Sequence, residues 1–280
     1  MSLATPTVQE KFSEENFRHH LEEFWADAPW VREVKEENWQ RYQELPLPNR
    51  SDERWRFTDL RKLQLDGFRP SQRPNETQEA AALANSNLVA DTAGKLVFGD
   101  NFLLNFEGVS EELAAKGVIW MPLRQAVVEH ADLVQKYFLE EENRLGSEKL
   151  LALHNAFFHG GSFLYVPKGV EIEQPICAYY WSLNCHEAIF PHTLLVVEDN
   201  AKVDFVDYYG SDGDCCPSLS CGVGTIYAGQ GAQVFRKIVQ NFNKEALSFQ
   251  LESNIAGRDS QVKTIAVNIG SAYARLQNHT

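Results

Sequence analysis

Two hydrophobic rhythms divide this chain. Over the first 65 or so residues, apolar positions recur at helical spacing. Val8, Phe12, Leu21, Phe24 and Trp25 form one stripe, while Glu14, Glu15, Glu22 and Glu23 fall on the other side. Thr7-Val8-Gln9-Glu10 fits a capping box that would open this helix. A second helix is expected from Pro29 through Val31, Val34, Trp39 and Tyr42, with Pro46 and Pro48 ending it. Four of the six tryptophans lie in the first 55 residues, which predicts a core of its own for residues 1–65. Residues 66–94 are polar and proline-bearing and read as a linker. Residues 95–160 read as a mixed connecting segment: a hairpin over Lys95 to Phe106 around Gly99-Asp100-Asn101, then helices near Leu123–His130, Leu133–Phe138 and Ser147–Phe158.

From residue 161 to 280 the rhythm changes. Gly-, Asn- or Asp-bearing turns precede Val170, Val203, Val234 and Val262, at intervals of 33, 31 and 28 residues. They separate β-rich runs such as Thr193-Leu194-Leu195-Val196-Val197. A supersecondary unit repeated at this period predicts a β-solenoid, each coil burying its apolar face on the next. Pro217 is the last proline, as suits internal strands whose amides must all donate. Alternation within strands is imperfect: Ile265, Val267 and Ile269 share a face and Val262 lies on the other, so spacing is a firmer guide than register. After Val262 the chain runs to Asn278-His279-Thr280 without a capping helix, so the solenoid is expected to be incomplete.

Composition narrows the functions open to such a scaffold. A formal charge of −13 and the lack of a basic stripe exclude a general nucleic-acid binder. The N-terminus has neither a signal core nor a transit-peptide pattern, and no apolar run is long enough to span a bilayer. A cytoplasmic protein without a membrane partner is the expectation. Its five cysteines are odd in number and confined to a 45-residue window, which reads as thiols or soft-metal ligands and not as a disulfide framework.

Chemistry-bearing clusters are few. Cys215, Cys216 and Cys221 put three thiols within seven residues and are the soft-metal candidates, although the spacing lacks a Cys-x-x-Cys chelate. Cys185-His186-Glu187 with His192 is a second soft-ligand group, but Phe190 stands where a zinc helix would need histidine. His154 and His159 lie five residues apart, about 140° around a helix. His159-Gly160-Gly161-Ser162 has no Gly-x-Ser-x-Gly nucleophile to serve, and its glycines fit a helix-to-solenoid junction. There is no phosphate loop, and Gly222-Val223-Gly224 lacks the third glycine of a dinucleotide fingerprint. The pairs Glu22-Glu23 and Glu36-Glu37 and the run 140–142 read as solvated helix faces. No catalytic carboxylate pair emerges.

The stretch Leu153-His154-Asn155-Ala156-Phe157-Phe158-His159-Gly160-Gly161-Ser162-Phe163-Leu164-Tyr165-Val166-Pro167-Lys168-Gly169-Val170 resembles the SufB/SufD family, the β-helical components of the SUF iron–sulfur cluster assembly machinery. Trp55-Arg56-Phe57-Thr58-Asp59-Leu60, Leu133-Val134-Gln135-Lys136-Tyr137-Phe138, Phe190-Pro191-His192-Thr193-Leu194-Leu195 and Val239-Gln240-Asn241 resemble it in the same order. Within the family the chain is more similar to the SufD type. The SufB scaffold type carries N-terminal cysteines, whereas none precedes Cys177 here, and Ser211 takes the place of a scaffold cysteine that follows a glycine.

The resemblance implies a right-handed parallel β-helix behind a helical N-terminal domain, cut before the family's C-terminal third. It implies a non-catalytic assembly component that pairs with a SufB-like β-helix protein. A SufC-type ATPase would dock through the missing region. No tightly bound cofactor is expected; iron or an iron–sulfur cluster would be held transiently at a shared interface. The rivals are a SufB-like scaffold that itself binds a nascent cluster, and an independent β-helix enzyme acting on polysaccharides.

Overall fold

The structure, a computed structural model, describes residues 12–58, 63–138, 146–213 and 216–280. The capping box at Thr7, the family motif positions Asp59 and Leu60, the glutamates at 140–142 and Cys215 lie outside the described residues.

Helix α1 (Glu14–Trp25) opens on Ser13, whose hydroxyl accepts from the Asn16 amide, and buries Phe17, His20, Leu21 and Trp25. Helix α2 (Pro29–Glu44) begins on its proline and buries Val31, Lys35, Asn38 and Trp39. Strand β1 (Arg69–Pro70) and helix α3 (Glu76–Ala84) follow. The stretch expected to be a linker is therefore folded. Its anchors are polar: Asn75 and Gln78 form a reciprocal capping box, and β1 pairs with a short solenoid strand. Order held by hydrogen bonds leaves no apolar periodicity to read.

The expected hairpin is strands β2 (Gly94–Gly99) and β3 (Phe102–Glu107), with Asp100 and Asn101 left-handed at φ 48° and 71°. After α4 (Glu111–Ala115) and β4 (Ile119–Pro122) come helices α5 (Leu123–Glu129), α6 (Ala131–Tyr137) and α7 (Glu148–Phe157). Among the described residues ten strands follow: β5 (Gly161–Val166), β6 (Ile176–Ser182), β7 (Glu187–Ile189), β8 (His192–Val197), β9 (Lys202–Ser211), β10 (Leu219–Ala228), β11 (Gln233–Phe242), β12 (Leu247–Ala256), β13 (Gln261–Gly270) and β14 (Tyr273–His279).

These strands alternate between two parallel walls. One runs β5-β8-β10-β12-β14 and the other β6-β9-β11-β13, the latter extended by β2 and β3. The result is a β-solenoid of about four turns preceded by a helical region. The recurring turns stack directly: the amides of Gly169, Asn200 and Gly231 donate to the carbonyls of Asp199, Gln230 and Arg258, each at 2.9 Å. Each turn needs a left-handed residue, supplied by Gly169, Asn200, Gly231 and Asp259, which accounts for their composition. On β13, Val262 packs toward the lumen, whereas Ile265, Val267 and Ile269 stand exposed on the outer face. Among the described residues the apolar side chains gather into an aromatic core between α1, α2, α7 and the first wall, one inside the solenoid, and a small one beneath α3 around Tyr179 and Trp181.

Candidate functional site

Strict alternation along β9 and β11 sends Val203, Phe205, Asp207 and Tyr209, and Val234, Arg236, Ile238 and Gln240, into the lumen. Half of that interior is apolar, and the other half holds a charge row. The fully buried Arg236 guanidinium reaches Asp207 Oδ2 through Nε at 2.7 Å and Nη2 at 2.6 Å, and its Nη1 donates to Glu252. The Thr193 hydroxyl donates to Asp207 Oδ1 at 2.9 Å, and Gln250 Nε2 donates to Glu252 Oε1 at 2.6 Å. Burial pushes both carboxyls up, against the pull of the guanidinium between them.

Two glycines make room for this row. A Cβ on Gly224 would lie 2.4 Å from both Arg236 Nη1 and Glu252 Oε2, and one on Gly222 would lie 2.1 Å from Gln250 Oε1. Gly222-Val223-Gly224 thus serves a buried ion cluster. Sequence reasoning missed Asp207, Arg236 and Glu252. The usable signal was a charge on the same strand face as Val234 and Ile238.

Beside the lumen lies a cluster of bases. His154 Nδ1 faces the Cys221 carbonyl at 2.7 Å, and its Nε2 faces His192 Nδ1 at 3.0 Å. A carbonyl only accepts, so His154 carries its proton on Nδ1, and His192 Nδ1 donates to His154 Nε2. Burial holds His154 down to about 3, so both rings are neutral at ordinary pH. Lys35, also buried, donates to the carbonyls of Asn155 (3.2 Å), Ala156 (3.3 Å) and Phe158 (2.6 Å), closing the C-terminal end of α7. Its pKa is drawn well below the usual lysine range by desolvation.

Of the three soft-metal candidates, the two that are described serve separate contacts. Cys216 is joined by a disulfide to Cys185, and Cys221 is buried with its thiol donating to the Leu150 carbonyl. Cys215 lies outside the described residues. The expectation of thiols without a disulfide therefore changes. Cys185 and Cys216 are 31 residues apart, one coil of the solenoid, so stacking sets them side by side with Cα atoms 5.1 Å apart. That coincidence of intervals was legible in the sequence. Among the described residues no group of three or more His, Cys, Asp or Glu side chains is arranged to hold a metal ion. The second soft-ligand group also disperses: the Glu187 carboxylate accepts from Arg69 and from the Gln72 amide, while His192 faces His154.

One cleft, of about 620 Å³, lies between α1, residues 69–73 and the hairpin, and is lined by His20, Phe24, Arg69, Gln72, Asn101 and His159 among others. Phe24 stacks on His159 with centroids 3.9 Å apart. His20 Nε2 and both ring nitrogens of His159 form no well-aligned hydrogen bond among the described residues, and burial holds His159 down to about 3. Among the described residues no helix is long and apolar enough to cross a membrane.

A helical region feeding a parallel solenoid of this kind defines an architecture, and comparison with known proteins gives it a family. Residues 13–177 match the family model "SufBD protein N-terminal region", and residues 181–280 match "SUF system FeS cluster assembly, SufBD core domain". The chain belongs to the SufB/SufD family. It is 30% identical over 241 residues to the iron–sulfur cluster assembly protein SufD of Bacillus subtilis, covering 85% of this chain and 54% of that protein. It is 24% identical over 258 residues to SufB of the same organism, with 88% and 54% covered. An iron–sulfur cluster assembly SufBD family protein of Staphylococcus aureus is 23% identical over 270 residues, with 92% and 57% covered. The chain thus spans about half the length of the curated relatives it matches.

Proposed function

We propose that this chain is part of a SufD-like, non-catalytic component of an iron–sulfur cluster assembly complex. It would pair with a SufB-like β-helix, with ATP hydrolysis carried out by a separate SufC-type subunit. The observation that carries this reading is the collinear family match from residue 13 to 280, together with higher identity to SufD than to SufB of one organism. The sulfur chemistry supports it. Cys177 and Cys221 are buried and their thiols pushed up to about 12, which makes them poor thiolate donors to a nascent cluster. Ser211 stands at the strand end where the scaffold type would carry cysteine. A rigid solenoid wall can shape a site shared with a partner without holding a cofactor itself. Iron or a cluster would then be cargo at that shared site.

The test is co-purification of the full-length protein with a SufB-like protein and a SufC-type ATPase. A stable complex is expected, and failure to retain either partner would count against the assignment. Anaerobic reconstitution of the isolated protein with iron and sulfide separates the SufB-like alternative. No cysteine-dependent chromophore is expected, and a stable one lost on replacing Cys215, Cys216 and Cys221 by serine would favour a scaffold.

A further inference from the structure

The disulfide sits where one corner of the solenoid meets the wall of the cleft. Cys185 lies in the exposed loop between β6 and β7, and Cys216 is half-buried in the loop between β9 and β10. His186, left-handed at φ 59°, is the hinge between them and the cleft. Its amide donates to the carbonyl of Pro217, the neighbour of Cys216, at 2.6 Å, and its own carbonyl accepts from the Arg69 amide at 3.0 Å. The next residue, Glu187, receives the Gln72 amide at 2.9 Å and Arg69 Nη2 at 3.1 Å. Residues 69–73 form one wall of the 620 Å³ cleft. The disulfide and that strap are therefore separated by one residue and two backbone hydrogen bonds.

We propose that Cys185 and Cys216 form a reversible thiol-oxidation site whose disulfide fastens the strap of residues 69–73 over the cleft. The oxidant is a low-molecular-weight disulfide of the glutathione type. The thiolate of one cysteine attacks it, forming a mixed disulfide and releasing one small thiol. The second thiolate then attacks the protein sulfur of the mixed disulfide and expels the other small thiol. Two protons and two electrons leave the protein pair, and one small disulfide becomes two thiols. Excess small thiol reverses both steps.

Access selects the pair. Cys185 is exposed, whereas Cys177 and Cys221 are fully buried. Oxidised, the two loops move as one body and hold His186 against both Pro217 and Arg69. Reduced, Cys185 and Cys216 move independently, and the strap relies on its contacts to Glu187, to the hairpin and to Glu79. The site stands apart from the assembly reading, since it requires neither partner nor cluster.

The experiment equilibrates the full chain in glutathione buffers from reducing to oxidising, alkylates free thiols and maps peptides by mass spectrometry. A Cys185–Cys216 cross-link that appears with glutathione disulfide, vanishes with excess glutathione and survives Cys215→Ser is the expected result. Hydrogen exchange on the same samples should show peptides covering residues 66–75 exchanging on the order of tenfold faster when reduced. The turn Gly229-Gln230-Gly231 should not change, and Cys185→Ser should match the reduced protein in every buffer. A bridge through Cys215, no bridge at all, or a bridge that leaves strap exchange unchanged would each overturn the proposal.

Discussion

The two halves of the solenoid lumen follow opposite logics on the same strands. Next to the recurring turns, Leu195, Val197, Val203, Ile226, Ala228 and Val234 fill the space with hydrocarbon. Farther along, Asp207, Arg236 and Glu252 occupy positions equally buried and equally inward. In the apolar half each side chain contributes by area, and neighbours compensate partly for any loss. In the charged half each group depends on a particular partner, because an isolated buried charge has nothing to replace water. The first half tolerates variation, whereas the second accepts few exchanges.

The largest test of this contrast is Arg236→Met, which leaves two buried carboxylates without a counter-charge and should cost about 3–5 kcal/mol in urea unfolding. Its pH dependence sharpens the point. Asp207 and Glu252 are already pushed up by burial, and without the guanidinium they rise further. A raised folded pKa gives stability that is present below the unfolded value and lost as pH rises. The variant should therefore regain stability relative to the native protein on acidification. Equal losses for the two proteins across pH would break the comparison.

Gly224→Ala should cost about 1–3 kcal/mol, because its Cβ intrudes on both ends of the Arg236–Glu252 pair. Ile226→Val, two residues along in the apolar half, should cost only about 0.5–1.5 kcal/mol by the same unfolding assay. If the order of these two reversed, the charge row would be more plastic than its packing suggests.

The smallest effect at neutral pH concerns the bases outside the lumen. His154 and His159 titrate at about 3 when folded, against an ordinary value near 6.5. The unfolded chain then binds more protons, so their contribution is full above about 6.5 and is lost as pH falls toward 3. Asp100, raised to about 7 by burial, slopes the other way. Comparing native protein with His154→Gln isolates the histidine: the variant should lose less stability between pH 6.5 and 4. An identical slope would mean that His154 is not desolvated.

Much of this architecture was legible because local rules suffice for it. The left-handed turn positions demanded Gly, Asn or Asp, so the solenoid period stood out before any strand register could be assigned. Helix α2 announced itself by Pro29 and stopped before Pro46. Residues 66–91 misled because the Asn75–Gln78 box, the Glu187 anchor and isolated buried residues such as Phe68 and Ala82 order them, and these leave no periodic trace. The candidate site was legible only in fragments. Cys216 was read with its sequence neighbours, although its partner Cys185 lies one coil back.

The sequence alone determined the repeat, the helical preface and the family motifs, since each rests on residue type and spacing along the chain. Tertiary structure decided which residues meet. Stacking at about 31 residues per coil converts distance in sequence into adjacency in space. Arg236 thereby finds Asp207, 29 residues back, and Glu252, 16 ahead, while His186 couples a disulfide to the strap at Arg69. Local chemistry specifies the coil, but contacts between coils exist only once the coils have stacked.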